Sequence, residues 1–333
     1  MSAQPITARA ALLEVHDLHV RFDLPNDRQL HAVQGVSLSL RRGELFGLVG
    51  ESGCGKTTTI LALMGLLPSS ATVSGRIELE GQDLLAEGEA SMRPHRWNDV
   101  AMVFQGAMNA FNPVKTVGSQ LVEPMELHEL AEGREAEARA GELLELVGIG
   151  KERASRFPHE FSGGMRQRAA IAMALACDPK ILLADEPTTA LDVMVQAQIL
   201  ELLTTLSHDL ELTLVFVTHD LPVIAELCDR AAVMYAGEIV EEGSVETLYH
   251  DPRHPYTRLL FAAIPDAMGD KDVASIPGAP PRLDQEIVGC PFRPRCDVSF
   301  ERCVTERPLP IWLSEQHRAA CHRNDEVWAA AAP

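Results

Sequence analysis

The sequence predicts an α/β fold built around a phosphate-binding loop, with an antiparallel β subdomain, a helical subdomain and a small cysteine-rich segment at its C-terminal end. Three observations predict it. An apolar run, a glycine-rich turn and a helical run follow one another over residues 45–67. A second apolar run ends in two adjacent carboxylates, Asp185 and Glu186. Past Gly269 the composition shifts into a stretch holding four of the seven cysteines.

The turn is Gly50-Glu51-Ser52-Gly53-Cys54-Gly55-Lys56-Thr57, with Gly50, Gly55, Lys56 and Thr57 in the fixed places of the pattern G-x-x-x-x-G-K-[ST]. Leu45 to Val49 reads as the buried strand leading in and Thr58 to Leu67 as the helix leading out, the setting such a loop requires. Glycines let the backbone bend until successive N–H groups and a helix N-terminus, carrying about +0.5 elementary charge, face one anion. Lys56 then neutralises the outer phosphates and the Thr57 hydroxyl holds Mg²⁺. The bland alternative is a strand-to-helix turn that happens to contain a lysine. Eight positions in the right setting weigh against it, so the expected ligand is a nucleoside triphosphate contacted by residues 50–58, Thr58 included.

With 333 residues the chain has room for one large domain or two ordinary ones, and 46% hydrophobic content is ample for a packed core. A formal charge of −19 works against nucleic acid or anionic lipid as the main partner. A protein partner fits better. No run of about 18 uncharged apolar residues occurs, and the first twenty residues lack the order of a signal peptide. A cytoplasmic location is therefore expected, where disulfides are disfavoured and clustered cysteines read as metal ligands.

In chain order, residues 12–24 alternate as a strand. After the polar turn Pro25 to Arg28, a second strand runs from Ala32 to Leu40, which predicts an antiparallel hairpin beside the nucleotide site. Phe22 is placed either to stack on an adenine ring or to pack in the core. Gly75 to Gly81 and Asp99 to Phe104 read as further strands, the latter stopping at Gln105. A strand-end amide is well placed to reach a metal ion and to move with the segment from Gly106 to Pro113. From Val117 to Gly148 the pattern is helical, with Arg134 to Val147 repeating apolar residues at three- and four-residue steps. Ser162-Gly163-Gly164 then opens an alanine-rich helix to Cys177, as a second anion nest or as an ordinary N-cap.

The strand Ile181 to Ala184 ends in Asp185 and Glu186, and buried acids there are costly without a cation. One carboxylate can orient metal-bound water and the other can act on an attacking water. A helix opens after Thr188 to Asp192, and the strand Thr213 to Val217 delivers Thr218-His219-Asp220, where His219 is placed for a phosphate contact.

Taken in order, Gly50 to Thr57, Gln105, Phe161 to Met165, Ile181 to Glu186, Ala190 to Asp192 and His219 resemble the motif set of an ABC transporter ATPase subunit, over roughly residues 12–255. The resemblance implies a P-loop NTPase core of ABC ATPase type at 1–255, with a helical subdomain near 106–165 and an extension at 256–333. It implies head-to-tail pairing with a second ATPase subunit, either another copy or a related chain. ATP would lie between one subunit's phosphate loop and the other's Ser162-Gly163-Gly164 turn. Lys56 would bind phosphate, Thr57 and Gln105 would contact Mg²⁺, and Asp185 would hold the ion through water. Glu186 would be the general base, His219 would sense the γ-phosphate, and Asp192 would act across the interface. The signature here is Phe-Ser-Gly-Gly-Met rather than the commoner Leu-Ser-Gly-Gly-Gln, with serine and both glycines intact.

The stretch Gly106 to Val114 and His254-Pro255-Tyr256-Thr257 resemble the oligopeptide and dipeptide importer ATPases, a group whose relatives also import nickel or oligosaccharides. This implies two transmembrane permease subunits on other chains, a solute-binding protein acting indirectly, no nucleic acid, and a peripheral place on the cytoplasmic face of the membrane. A soluble ABC ATPase acting on DNA or ribosomes is the rival, and one motif set with strong negative charge speaks against it.

In the tail, Ile276 to Pro281 reads as a linker. Cys290, Cys296, Cys303 and Cys321 follow, separated by five, six and seventeen residues. Close Cys-x₂₋₄-Cys pairs, usual for zinc, are absent, and wider gaps suit an iron–sulfur cluster better. Resemblance to the importer ATPases favours a four-iron four-sulfur cluster. Zinc, with His317 or His322 as a substitute ligand, and free thiols remain the alternatives.

Overall fold

A computed structural model of the protein describes residues 11–106, 110–263 and 276–324. In chain order it begins with β1 (Ala11–Leu24), β2 (Arg28–Arg41), β3 (Leu45–Val49), α1 (Lys56–Leu63), β4 (Ala71–Leu79), β5 (Gln82–Asp83) and α2 (Glu89–Met92). It continues with β6 (Val100–Val103), α3 (Val117–Leu127), α4 (Gly133–Leu146), α5 (Gly163–Ala174), β7 (Ile181–Asp185), α6 (Val193–Asp209), β8 (Thr213–Thr218) and α7 (Leu221–Leu227). The last part holds β9 (Arg230–Tyr235), β10 (Glu238–Ser244), α8 (Val245–His250), α9 (Pro255–Ala262), α10 (Arg302–Thr305), β11 (Ile311–Ser314) and β12 (His317–Ala319). Among the described residues no helix is long and apolar enough to cross a membrane.

Two compact units interleave along the chain. Among the described residues, the first comprises those up to Leu12, Leu40–Glu44 and those between Asp83 and Phe216; the second comprises Leu13–Ser39, Leu45–Gln82 and those from Val217 to Asn324.

In the first unit β6 and β7 run parallel, with Val100 opposite Ile181 and Val103 opposite Ala184. Every residue of β7 is buried, which explains its unbroken apolar reading, because a parallel strand covered on both faces has no polar side to alternate with. The helical pattern expected over 117–148 is two helices. Glu129, at φ 57°, turns the chain between them, and Gly148, at φ 75°, follows the second. Helix α4 buries Ala136, Ala140, Leu143 and Leu144 along one stripe.

In the second unit β1 alternates buried and exposed residues as expected. It pairs antiparallel with β4, from Leu13 opposite Leu79 to Phe22 opposite Ala71. A bulge between His16 and His19 interrupts the register. The order of this small sheet is β2-β1-β4-β5. Elsewhere in the unit β3 runs parallel to β9, β10 turns back antiparallel on β9, and β12 and β11 follow on β10. Helix α1 stops at Leu63, four residues earlier than the pattern suggested. Gly65 takes φ 58°, and the Gly65 and Leu66 N–H groups return to the carbonyls of Ala62 and Leu61, a helix-ending motif that glycine favours.

The tail, read from sequence as loop, is docked by strand pairing and by buried charge. Glu242 accepts from Arg230 and from Arg318, the latter through Nε at 2.9 Å and Nη2 at 2.6 Å. Glu241, fully buried, accepts from the backbone N–H of Arg253 at 2.7 Å and of His254 at 2.8 Å. Its Oε1 also lies 2.7 Å from His317 Nε2 on β12. Tyr235, Tyr256 and Phe292 pack as a ring triad with centroids 4.6, 5.2 and 5.4 Å apart. Replacing Glu241 by Ala strands three buried polar groups, so unfolding free energy in urea should fall by about 3–5 kcal/mol. A loss under about 1 kcal/mol, the scale of one ordinary hydrogen bond, would show that this carboxylate does not hold the tail.

Candidate functional site

The phosphate loop lies within the second unit. Strand β3 delivers the chain to Gly50, whose φ of 152° and whose missing Cβ, which would lie 2.2 Å from the Met234 carbonyl oxygen, both require glycine. Gly55 is equally constrained, at φ 110° with a Cβ that would sit 2.4 Å from the Ala32 carbonyl oxygen. Because Gly55 is the N-cap of α1, no side chain caps that helix. Its first-turn N–H groups can therefore meet an anion. Lys56 is 6% exposed and turns back on the loop, its Nζ donating to the Gly50 carbonyl at 2.7 Å and the Glu51 carbonyl at 3.1 Å. Burial pushes the Cys54 thiol above its ordinary pKa despite the nearby Lys56 ammonium, so Cys54 is a neutral filler under the loop. Ser52, Gly53 and Thr57 are exposed, and Thr58 is half-buried. His219 is exposed just past β8, and Phe22 is half-buried on β1.

The carboxylates lie within the first unit. Asp185 ends β7 with 1% exposure. Glu186 follows at φ 44°, a left-handed conformation costly for a residue with a side chain and common where function demands a particular orientation. Its Oε2 accepts from Gln105 Nε2 at 2.7 Å and from Thr189 Oγ1 at 2.9 Å. The Gln105 amide, the strand-end group singled out in the sequence, thus donates to the carboxylate. Ser162 and Asp192 are helix N-caps in the single chain. Ser162 Oγ accepts from Met165 N–H at 3.3 Å and Asp192 Oδ1 from Val195 N–H at 3.0 Å. Gly163 and Gly164 open α5, and a Cβ on Gly164 would come within 2.7 Å of Val195 Cγ1. Residues 107–109 of the segment after Gln105 lie outside the described residues.

A second cluster, in the tail, belongs to the second unit. Cys290, Cys296, Cys303 and Cys321 all line one small cavity, together with Phe292 and His322. Burial pushes Cys290 and Cys321 up to about 11, with the neighbouring thiols adding to the shift, and Cys296 is raised for the same reasons. These are neutral thiols until a cation ionises them. Among the described residues, the trio of His, Cys, Asp or Glu with ligand atoms within 4.8 Å of one another is Glu14, His16 and Glu78, so no three of the four sulfurs are that close. Thiolates on a single zinc, with Zn–S near 2.3 Å, sit roughly 3.8 Å apart. His317, considered as a zinc ligand, is engaged by Glu241 and does not line this cavity, whereas His322 does.

Three contacts had no signal in the sequence. Tyr256 Oη accepts from Glu51 N–H at 2.9 Å, Arg295 pairs with the Glu51 carboxylate, and Thr189 supports Glu186. Tyr256 was visible only as part of the stretch His254 to Thr257. Arg295 is 244 residues from Glu51, and nothing local marks such a pair.

Comparison with known proteins gives a consistent picture. The family profile described as "ABC transporter" matches residues 33–189, and that described as "Oligopeptide/dipeptide transporter, C-terminal region" matches residues 240–303. The chain is 45% identical over 322 residues to the "Probable peptide ABC transporter ATP-binding protein y4tR" of Sinorhizobium fredii, covering 95% of this chain and 96% of that protein. It is 45% identical to the "Oligopeptide transport ATP-binding protein OppD" of Escherichia coli, covering 95% of each. It is 46% identical to OppD of Mycobacterium tuberculosis, covering 96% of this chain but 53% of that protein, so it spans about half that relative's length. A dimeric structure of the ATP-binding cassette MJ0796 bound to ADP and Pi is similar in fold, with a TM-score of 0.62 and 28% identity over 70% of this chain and 98% of that one. A glycine-bound phosphate loop, a strand-end Asp-Glu pair and identity sustained over nearly the whole length lead to one conclusion: the chain belongs to the ATP-hydrolysing subunits of ABC transporters, in their oligopeptide/dipeptide branch.

Proposed function

We propose that the protein is the peripheral ATPase subunit that powers import of di- and oligopeptides through permease subunits carried on other chains. The observation that supports it most is the Gln105–Glu186–Thr189 constellation, a carboxylate held ready at a strand end in a chain whose relatives are named for peptide transport. Lys56 and the loop of residues 50–58 bind the phosphates, chiefly through the uncapped first-turn N–H groups of α1, the Glu51 N–H being held by Tyr256. Thr57, Gln105 and Asp185 are the residues proposed to hold Mg²⁺, which would offset phosphate charge. Glu186 takes the proton of the attacking water; Gln105 and Thr189 hold its carboxylate oriented until then. His219 contacts the γ-phosphate, and Phe22 lies against the base.

Two such subunits would pair head to tail, each offering its Ser162-Gly163-Gly164 turn and Asp192 to the nucleotide on the other. For this to happen Ser162 must share its oxygen between the helix cap and the phosphate, which a hydroxyl with two lone pairs permits. Next to Gln105 the first unit opens a groove of 330 Å³ lined by Trp97, Phe104, Pro124, Leu127 and Met173. Phe104 and Leu127 are exposed large apolar side chains, suited to receive a helix from a permease. Such a helix would place the protein on the cytoplasmic face of the membrane. Movement of Gln105 on hydrolysis would reach it through the adjoining segment.

In the tail, Cys290, Cys296, Cys303 and Cys321 are the ligands proposed for a four-iron four-sulfur cluster. Bound there, it would order the segment and could carry an electron.

Glu186→Gln should lower ATP hydrolysis by at least about 100-fold, the usual share of a general base, while ATP still binds; near-normal turnover would remove Glu186 from that role. Protein purified without oxygen should be brown, with a visible band near ~400 nm that Cys303→Ser abolishes. Colourless protein carrying one zinc per chain would replace the cluster by zinc. Vesicles holding the assembled transporter should take up labelled di- and oligopeptides in competition with one another. Uptake of oligosaccharide or Ni²⁺ instead would change the cargo and leave the ATPase reading standing.

A further inference from the structure

The phosphate loop is gripped from the tail at its second residue. The Arg295 guanidinium, with a side chain 3% exposed, meets the Glu51 carboxylate through both forks, Nη1 to Oε2 at 2.5 Å and Nη2 to Oε1 at 2.9 Å. The rest of the guanidinium is equally occupied. Nε donates to the Pro277 carbonyl at 2.8 Å, Nη2 to the Ile276 carbonyl at 3.3 Å and Nη1 to Tyr235 Oη at 3.4 Å. The run Ile276 to Pro281, which reads as a linker, is thereby pinned at its first two carbonyls. The cation also lies 5.8 Å from the Tyr235 ring centroid and 5.9 Å from that of Phe292.

Every hydrogen-bonding group of Glu51 is held at once. Its N–H donates to Tyr256, its carbonyl accepts from Lys56 Nζ, and its carboxylate accepts from Arg295. Two of these partners, Tyr256 and Arg295, come from the extension beyond residue 255. Arg295 sits in the single turn Arg293–Arg295, between Cys290 and Cys296. That turn is closed by Arg293 N–H to the Cys290 carbonyl at 3.1 Å and Cys296 N–H to the Arg293 carbonyl at 3.2 Å. A shift of either thiol therefore moves the arginine, and the arginine moves the loop.

We propose that Arg295 is a positioning residue for the nucleotide site, and that through its pair with Glu51 the affinity for ATP depends on the order of the thiol-lined tail. The physical reason is preorganisation. A loop already fixed by a bidentate ion pair with a buried arginine loses less freedom when phosphates arrive than one that must be ordered by them. This inference rests on the ATP-binding reading, and the wild-type measurement tests that reading separately.

The test is a double-mutant cycle on the full chain, purified without oxygen, with Glu51→Gln, Arg295→Met and both together. Equilibrium binding of ATP, the KM for ATP, and hydrogen exchange of the amides at 51–54 are read. Each single substitution should raise Kd by about tenfold, with KM rising by a similar factor and exchange quickening. The double variant should be no worse than the weaker single one, because only one pair exists to break, and Arg295→Lys should recover part of the loss. Should Arg295→Met unfold the tail, Glu51→Gln decides, since its side chain is at the solvent edge of the pair. Unchanged Kd in Glu51→Gln, or losses that add in the double variant, would overturn the proposal. Failure of the wild type to bind ATP would overturn the nucleotide reading instead.

Discussion

Everything in the nucleotide site depends on a backbone shape that must exist before the anion arrives. A row of N–H groups aimed at one point is an electrostatically unfavourable arrangement while it is empty, and the chain supports it with a buried cation. Lys56 ties the carbonyls of Gly50 and Glu51 together from inside the turn, so both carbonyls are turned onto the ammonium. The glycines at 50 and 55 serve the same end. Each sits where a side chain would collide with a carbonyl from a neighbouring strand, and their absence of a Cβ lets β3 and α1 meet at the loop. The ammonium proposed to meet phosphate is thus a group that ties the loop's own carbonyls together.

The carboxylate proposed as the general base shows the complementary economy. Glu186 stands in a strained backbone conformation immediately after a fully buried strand, and strain of this kind persists only where surrounding contacts over-determine it. Gln105 and Thr189 supply those contacts by converging on one carboxylate oxygen. Gln105 therefore links Glu186, by one hydrogen bond, to the segment proposed to face the membrane partner.

The tail is a structural part of the second unit. Glu241 and Glu242 stand side by side on β10 and face different partners, one binding backbone amides and His317, the other two arginines. Two adjacent buried acids are tolerable because each is fully paired. That arrangement brings the aromatic triad and Arg295 against the phosphate loop, so the cysteine-lined cavity and the nucleotide site share a set of neighbours.

Short-range pattern carried a great deal. The loop at 50–57, the apolar strands at 45–49 and 181–185, the alternation of β1 and the helical stripe of α4 were all legible, because each is a periodicity or a local conformational demand written over a few consecutive residues. Boundaries were less so. Helix α1 ends early because Gly65 caps it, and the helical run past Val117 is two helices because Glu129 turns the chain. The residue types of the site were likewise fixed by the sequence, down to Lys56, Gln105, Asp185 and Glu186. What only the tertiary structure decided was pairing across long separations: Gln105 on Glu186, His317 on Glu241 rather than among the residues lining the thiol cavity, and Arg295 on Glu51. An ion pair between residues far apart in the chain leaves no trace in local composition. It exists because the fold buries the Arg295 guanidinium and brings it against the Glu51 carboxylate.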